Sequence, residues 1–364
     1  MNVPESRGPR LRELGLRIGR FDAGQSNAIT DVADVKVGHV TVWRDEPEPP
    51  DGRGVARTGV TAVLPAPVET LHVKPVPAGT AVLNGAGELT GSIQIAEWGN
   101  TETPIYLTST HAVGRIYDGA VSVAVAAEPR IGTEDFVIPV VGECDDSWLS
   151  EGRLVQVEAE DAGRAVAAAR TGVVAEGAVG AGTGMLTKGY KAGIGTSSRV
   201  VPGLGAVGVL VLSNFYPPPG LVMDGVPVGD ILGERPEARR SKAGSCIAVV
   251  AVDAPLSHHQ LERVARRAGL GLARCGSVGH HGSGEIFVAF APPGRRRRGE
   301  APVATVPDSD LNDVFEAVVD ATEEAVLNAL WAAPEVVGRE GRVAPALPHD
   351  DVLELLAAHG RLSR

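Results

Sequence analysis

Four strand-length apolar runs constrain this chain more than any other feature. They are FVIPVV (136–141), AVGVLVLSN (206–214), IAVVAV (247–252) and EIFVAFA (285–291). Runs of this length without polar alternation read as strands buried on both faces. Helical patterns lie between them at 161–172 and 257–276, another follows them at about 311–331, and a further helix starting at His111 precedes them. Buried strands interleaved with helices predict two packed sheets with helices on the outer faces. Pattern alone leaves a doubly wound sheet in contention.

No internal repeat and no linker between compact halves is visible. The Pro-rich stretches 44–58 and 216–236 read as loops within one domain that spans 1–364. Only 4% of residues are aromatic while 46 are glycine, so small side chains and close backbone approaches must do much of the packing. Finer expectations follow from local sequence. Residues 1–20 read as a polar, basic arm, and 27–43 as strands broken by a turn at Val37-Gly38-His39. A helix is expected on the spacing of Leu89, Ile93 and Ala96. Asp308 or Ser309 is expected to cap the helix from Leu311.

The net charge of −11 argues against nucleic-acid binding. Three cysteines give no disulfide framework and fit a reducing compartment. The N-terminal stretch lacks the apolar segment of a secretory signal, and no run is long enough to span a membrane. The expected location is the cytoplasm.

Several stretches imitate known sites. GAGTGMLTKG (180–189) resembles a phosphate loop, but Lys188 is followed by Gly189 and not by Ser or Thr. It reads as a structural Gly-rich turn. The adjacent pairs His258-His259 and His280-His281 point to different sides of any element, so they do not chelate. Asp145-Asp146 reads as a solvated or capping turn, and Arg295 to Arg298 as a solvated loop. No metal site is expected.

KAGSCIAVVAVDAP (242–255) raises the chemical question, because Gly244-Ser245 stands at the mouth of a buried strand. One reading is a turn. The other is a cut before Ser245. A serine hydroxyl needs a base, and no nucleophile elbow surrounds this one. A cut at Gly244–Ser245 would give Ser245 a free α-amine, which titrates at about 7.7–8.0 and lies one side chain from the hydroxyl. One residue would then supply nucleophile and base. Ser245 itself can attack the Gly244 carbonyl, and glycine tolerates the distorted backbone that this requires. These local conditions are generic, and by themselves they favour the turn.

The wider sequence changes that balance. From Ser245 through GSGEIFVAF the chain resembles the P1-family (DmpA-type) aminopeptidases, which include β-peptidyl aminopeptidases and L-aminopeptidase/D-esterases. The resemblance runs in order through NAITDVADVKVGHVTV (27–42), NGAGELTG (84–91), STHAVG (109–114), PVVGECDD (139–146), GVLVLSNF (208–215), ATEEAVLNAL (321–330) and ALPHD (346–350). It implies a four-layer αββα sandwich and cleavage into residues 1–244 and 245–364. It implies Ser245 as nucleophile, with Ser283 and Glu285 as its supporting serine and acid. Spacing of two places that pair on one strand face. The resemblance further implies Asn214 as oxyanion donor and Glu143 as holder of the substrate's ammonium group.

Asp145 stands where some members carry tyrosine, and it would add negative charge beside that ammonium site. The implied reaction releases N-terminal residues from short peptides, amides or esters, without cofactor or metal. The implied assembly is a homo-oligomer, commonly a tetramer of processed pairs. Two alternatives remain from the sequence. One is an acyltransferase similar to ornithine acetyltransferase, whose usual threonine nucleophile is not found here. The other is an uncleaved homologue that acts as a binding protein.

Overall fold

The computed structural model describes residues 8–216, 220–233 and 244–362. Parts of the expected arm (1–7) and of the loop 216–236 lie outside the described residues. In chain order the first strands are β1 (Lys36–Asp45), β2 (Val55–Leu64), β3 (Val76–Gly85), β4 (Asn100–Thr101), β5 (Ile105–Ser109) and β6 (Val140–Cys144). A small hairpin, β7 (Leu186–Thr187) and β8 (Tyr190–Lys191), precedes β9 (Gly193–Val201) and β10 (Gly205–Asn214). Then come β11 (Gly244–Val252), β12 (Ser283–Phe290) and the short pair β13 (Val336–Val337) and β14 (Val343–Ala344). The helices are α1 (Val68–Leu71), α2 (Ser92–Trp98), α3 (Val113–Ala127), α4 (Glu160–Ala168), α5 (Val228–Leu232), α6 (His258–Arg274), α7 (Leu311–Ala332) and α8 (His349–Ala358).

One sheet has the order β1-β2-β5-β6 and the other β4-β3-β12-β11-β10-β9. Alternation along β11 explains why its sequence shows no polar face. Ile247, Val249 and Ala251 enter the core between the sheets with Leu107, Leu210 and Phe290. Cys246, Ala248 and Val250 enter a second core with Leu261 and Val264 of α6 and Val318 of α7. A third core joins Val60, Ala62 and Tyr106 to Ile116 of α3 and Ala162 of α4. The layers therefore run helix, sheet, sheet, helix, and every residue of β11 is buried. At about 25 cal/mol per Å² of apolar surface, this central strand is anchored on both faces.

Long-range partners overturn four local expectations. The arm is not free. Leu11, Leu16 and Ile18 are buried, and Arg10 donates to the carbonyls of Ser26, Asn27 and Thr196. Arg12 and the buried Arg199 pair with Glu324 of α7, so these basic residues neutralise a carboxylate carried into the core. No turn breaks β1. Gly38 is there because a Cβ would lie 2.1 Å from the Ala165 carbonyl oxygen of α4. Asp308 does not cap α7, since its carboxylate accepts from Gln260 and Arg263. Arg298 is not merely solvated but pairs with Glu102 and Asp135.

The expected helix appears as α2, with a different face inward. Ile93 is 86% exposed, while Ile95 and Gln94 are buried. Gln94 donates to the buried Glu102, which offsets the cost of burying its amide.

Candidate active site

Ser245 is the second residue of β11 and is 6% exposed. Its hydroxyl donates to the Gly244 carbonyl oxygen at 2.6 Å and accepts the Gly284 N–H at 3.2 Å. Two glycines make this crowding possible. A Cβ on Gly244 would lie 2.9 Å from the Tyr216 nitrogen and 3.1 Å from the Phe215 Cα. A Cβ on Gly284 would lie 2.8 Å from the Ala86 carbonyl oxygen. Larger side chains would push the neighbouring backbones away from the serine.

The antiparallel register of β10 and β11 sets Asn214 directly opposite Ser245. The Asn214 Oδ1 accepts the Leu186 N–H at 2.9 Å, and its Nδ2 donates to the Asp145 carbonyl oxygen at 2.8 Å. An amide nitrogen carries two protons, so one donor remains for another acceptor.

β11 and β12 run parallel, with Gly244 opposite Ser283, Ser245 opposite Gly284, and Cys246 opposite Glu285. The Ser283 hydroxyl donates to Glu285 Oε1. Spacing correctly predicts that these two side chains share a face. That face follows Gly244 and Cys246, however, so the Ser245 hydroxyl meets the Gly284 N–H and not this pair. Glu285 is fully buried, and its Oε2 has no hydrogen-bond partner among the described residues. Burial pushes its carboxyl above the ordinary range, and the Ser283 bond offsets part of that rise.

Glu143 arrives from β6, in the other sheet. Its Oε1 accepts the Glu88 N–H at 2.9 Å, and its Oε2 accepts the Thr110 hydroxyl. Burial raises its carboxyl, the two hydrogen bonds oppose the rise, and the charges of Asp145 and Glu88 add to it. Gly87 lies between this carboxylate and the serine strand pair. A Cβ there would sit 2.9 Å from Glu143 Oε1 and 3.5 Å from the Gly284 Cα. The two sheets thus bring Glu143 and Ser245 to one end of the sandwich. Asp145 turns its own carboxylate onto the Ser147 N–H at 3.0 Å and hydroxyl at 2.9 Å, but no helix starts there, and Asp146 is buried rather than solvated.

Sequence reasoning missed Thr110, Gly87 and Gly284 as parts of the site. Glycines and a lone threonine carry no chemical signature, and only the meeting of the two sheets gives them roles. Among the described residues no group of three His, Cys, Asp or Glu side chains could hold a metal ion. Nor, among them, is any helix long and apolar enough to cross a membrane.

Residues 27–344 match the profile of peptidase family S58. The chain is 40% identical to the β-peptidyl aminopeptidase BapA of Sphingosinicella microcystinivorans, over 98% of this chain and 94% of that protein. Its fold is similar to that of a Burkholderia sp. β-aminopeptidase, with TM-score 0.88 and 39% identity over 97% of this chain and 99% of the other. It is also similar to the L-aminopeptidase D-Ala-esterase/amidase of Ochrobactrum anthropi, with TM-score 0.90 and 37% identity over 98% and 100%. That structure is described as a prototype for the serine aminopeptidases and a variant of the Ntn hydrolase fold. Family match and fold agree: the chain belongs to peptidase family S58 and is a serine aminopeptidase with the Ntn-hydrolase-like DmpA fold.

Proposed function

We propose that the chain cuts itself at Gly244–Ser245 and that Ser245, as the new N-terminus of residues 245–364, is the nucleophile of the aminopeptidase. One observation carries this reading. The Ser245 hydroxyl lies 2.6 Å from the carbonyl oxygen of the bond to be cut, at a position where only glycine fits. Ser245 Oγ attacks the Gly244 carbonyl carbon, the C–N bond breaks, and the leaving nitrogen takes the hydroxyl proton to become an amine. Water then hydrolyses the ester, leaving a Gly244 carboxylate and a free serine.

In the mature enzyme the α-amine takes the hydroxyl proton as Oγ attacks the substrate carbonyl. The remaining Asn214 Nδ2–H stabilises the oxyanion, a type of contact worth about 10²–10³ in rate. The leaving amine takes the proton, and water releases the amino acid from the acyl-enzyme. Glu143 holds the substrate's ammonium group, which explains the demand for a free N-terminus. Ser283 faces Gly244 across the strands, so the Ser283–Glu285 pair stands beside the amine that cleavage creates. The orphaned Glu285 oxygen gains a cationic neighbour at that moment. No step requires a metal or organic cofactor.

Exposed apolar side chains at Leu83, Leu270 and Val278 support a homo-oligomer of processed pairs. Intact-mass spectrometry tests the central claim. Fragments beginning at Met1 and Ser245, absent in Ser245→Ala, are expected. A full-length chain that still releases N-terminal residues would overturn it.

A further inference from the structure

Lys191 is fully buried, and no carboxylate oxygen forms an ion pair with it among the described residues. Its Nζ donates to three carbonyl oxygens, of Gly182 at 2.9 Å, Met185 at 2.8 Å and Ala192 at 2.6 Å. Three acceptors match the three protons of an ammonium group, whereas a neutral amine would turn its lone pair on one of them. Burial pulls the lysine's pKa down, and Asp146 opposes that fall only when ionised, above about pH 7. The carbonyl cage decides for the ammonium.

The Met185 carbonyl belongs to the same peptide unit as the Leu186 N–H. That N–H donates to Asn214 Oδ1 at 2.9 Å. A continuous line therefore runs from the Lys191 ammonium through the 185–186 peptide to the Asn214 carboxamide, ending at Nδ2. Each link is a conjugated amide. A cation bound at the oxygen of an amide draws electron density from its nitrogen and makes the N–H a stronger donor. Two such units in series pass part of the lysine's charge to the Asn214 Nδ2–H. Cooperative strengthening is on the order of 10–30% per bond.

From this geometry we infer that Lys191 is a positioning and polarising residue for the oxyanion site, acting through the Met185–Leu186 peptide on Asn214. The Gly-rich stretch 180–189, which imitates a phosphate loop, is then the frame of this relay. Gly182 and Met185 supply two of the three carbonyls. The inference rests on Asn214 being the oxyanion donor.

A double-mutant cycle tests it. Self-processed protein is prepared as the parent, Asn214→Ala, Lys191→Met and the double variant, with rates normalised to the processed fraction. The relay predicts that Lys191→Met lowers kcat by roughly two- to tenfold with KM unchanged. In the Asn214→Ala background the same change should have no further effect on kcat. Equal losses of kcat in both backgrounds would show a merely structural lysine and overturn the inference. If Asn214→Ala leaves kcat unchanged, the oxyanion reading itself fails, which is a distinct outcome.

Lys191→Gln gives a second route should the methionine variant not fold. It keeps donors without the charge and should show the same coupling. An ester in place of the 185–186 amide, made with the α-hydroxy analogue of leucine, gives a third route. It removes the Leu186 N–H and weakens the Met185 carbonyl as an acceptor, both links of the relay, so a kcat equal to the parent's would also overturn it.

Discussion

Two buried carboxylates approach the candidate nucleophile from opposite sheets, and their surroundings differ. Glu143, on the four-stranded sheet, has both oxygens occupied, by the Glu88 N–H and the Thr110 hydroxyl. Glu285, on the six-stranded sheet, has one oxygen on Ser283 and one with no partner among the described residues. Burial raises the carboxyl pKa of both. An unpaired buried acceptor normally costs about 1–3 kcal/mol. In the uncut chain Glu285 bears that cost. In the proposed function Glu143 is the receptor for an external cation. In the same proposal Glu285 gains its partner only when the cut creates an amine one strand away.

Removal of the serine should have the largest effect. Ser245→Ala should abolish both fragments and turnover, as read on a denaturing gel and with a chromogenic amino-acid amide. Any turnover by the uncut variant would remove the reason for distinguishing the two carboxylates by timing. Next, Glu143→Gln should lower kcat/KM for substrates with a free amino group by roughly 10–100-fold, the cost of losing a charged hydrogen bond. Self-cleavage should continue, because no substrate ammonium takes part in it. A processing defect in this variant would erase the contrast.

Glu285→Gln sharpens the comparison from the other side. The amide relieves an unpaired charge before the cut and removes a partner after it. In a Ser245→Ala background, urea denaturation should find the uncut chain as stable or more stable with the amide than with the parental carboxylate. The processed enzyme should lose activity roughly tenfold, at the scale of one hydrogen bond to a charged group.

Smaller effects come from the turn after β6. The Asp145 charge raises the Glu143 carboxyl, so Asp145→Asn should lower it. The acid limb of kcat/KM should then move to lower pH, by less than about one pH unit. An unmoved limb would mean that Asp145, held by Ser147, does not act on the ammonium site.

Asp146 gives a control within the same turn. Burial raises its carboxyl from 3.8 to about 7. Between those values the unfolded chain is ionised while the folded chain keeps the proton, so this group removes stability as pH rises. Asp146→Asn should gain stability relative to the parent between about pH 4 and pH 7, measured by urea denaturation. A constant difference across that window would refute the assignment.

Much of the sandwich is legible in the chain. The run IAVVAV has no polar face because Ile247 and Val249 pack between the sheets while Ala248 and Val250 pack under α6 and α7. Such a run announces a central strand, and the helices between runs announce the outer layers. Ser283 and Glu285 share a face because two residues of strand always do. The sequence resemblance supplied the remaining candidate residues, and the sheet ends bring them together. What misled was local character without a partner in view. Arg10 and Arg12 look like a solvated arm, yet they satisfy Glu176 and Glu324 inside the molecule.

Sequence by itself determined the strands, the outer helices, the Gly-Ser step and the chemical types around it. Those are properties of consecutive residues, fixed by side-chain period and backbone freedom. Tertiary structure decided which backbones converge. It sets Asn214 opposite Ser245, puts the Gly284 N–H on the serine hydroxyl, and carries Glu143 to the same end through the gap that Gly87 leaves. It also encloses Lys191 in three carbonyls behind Asn214. These contacts depend on sheet register and on space between layers, and neither is written in a local stretch of sequence.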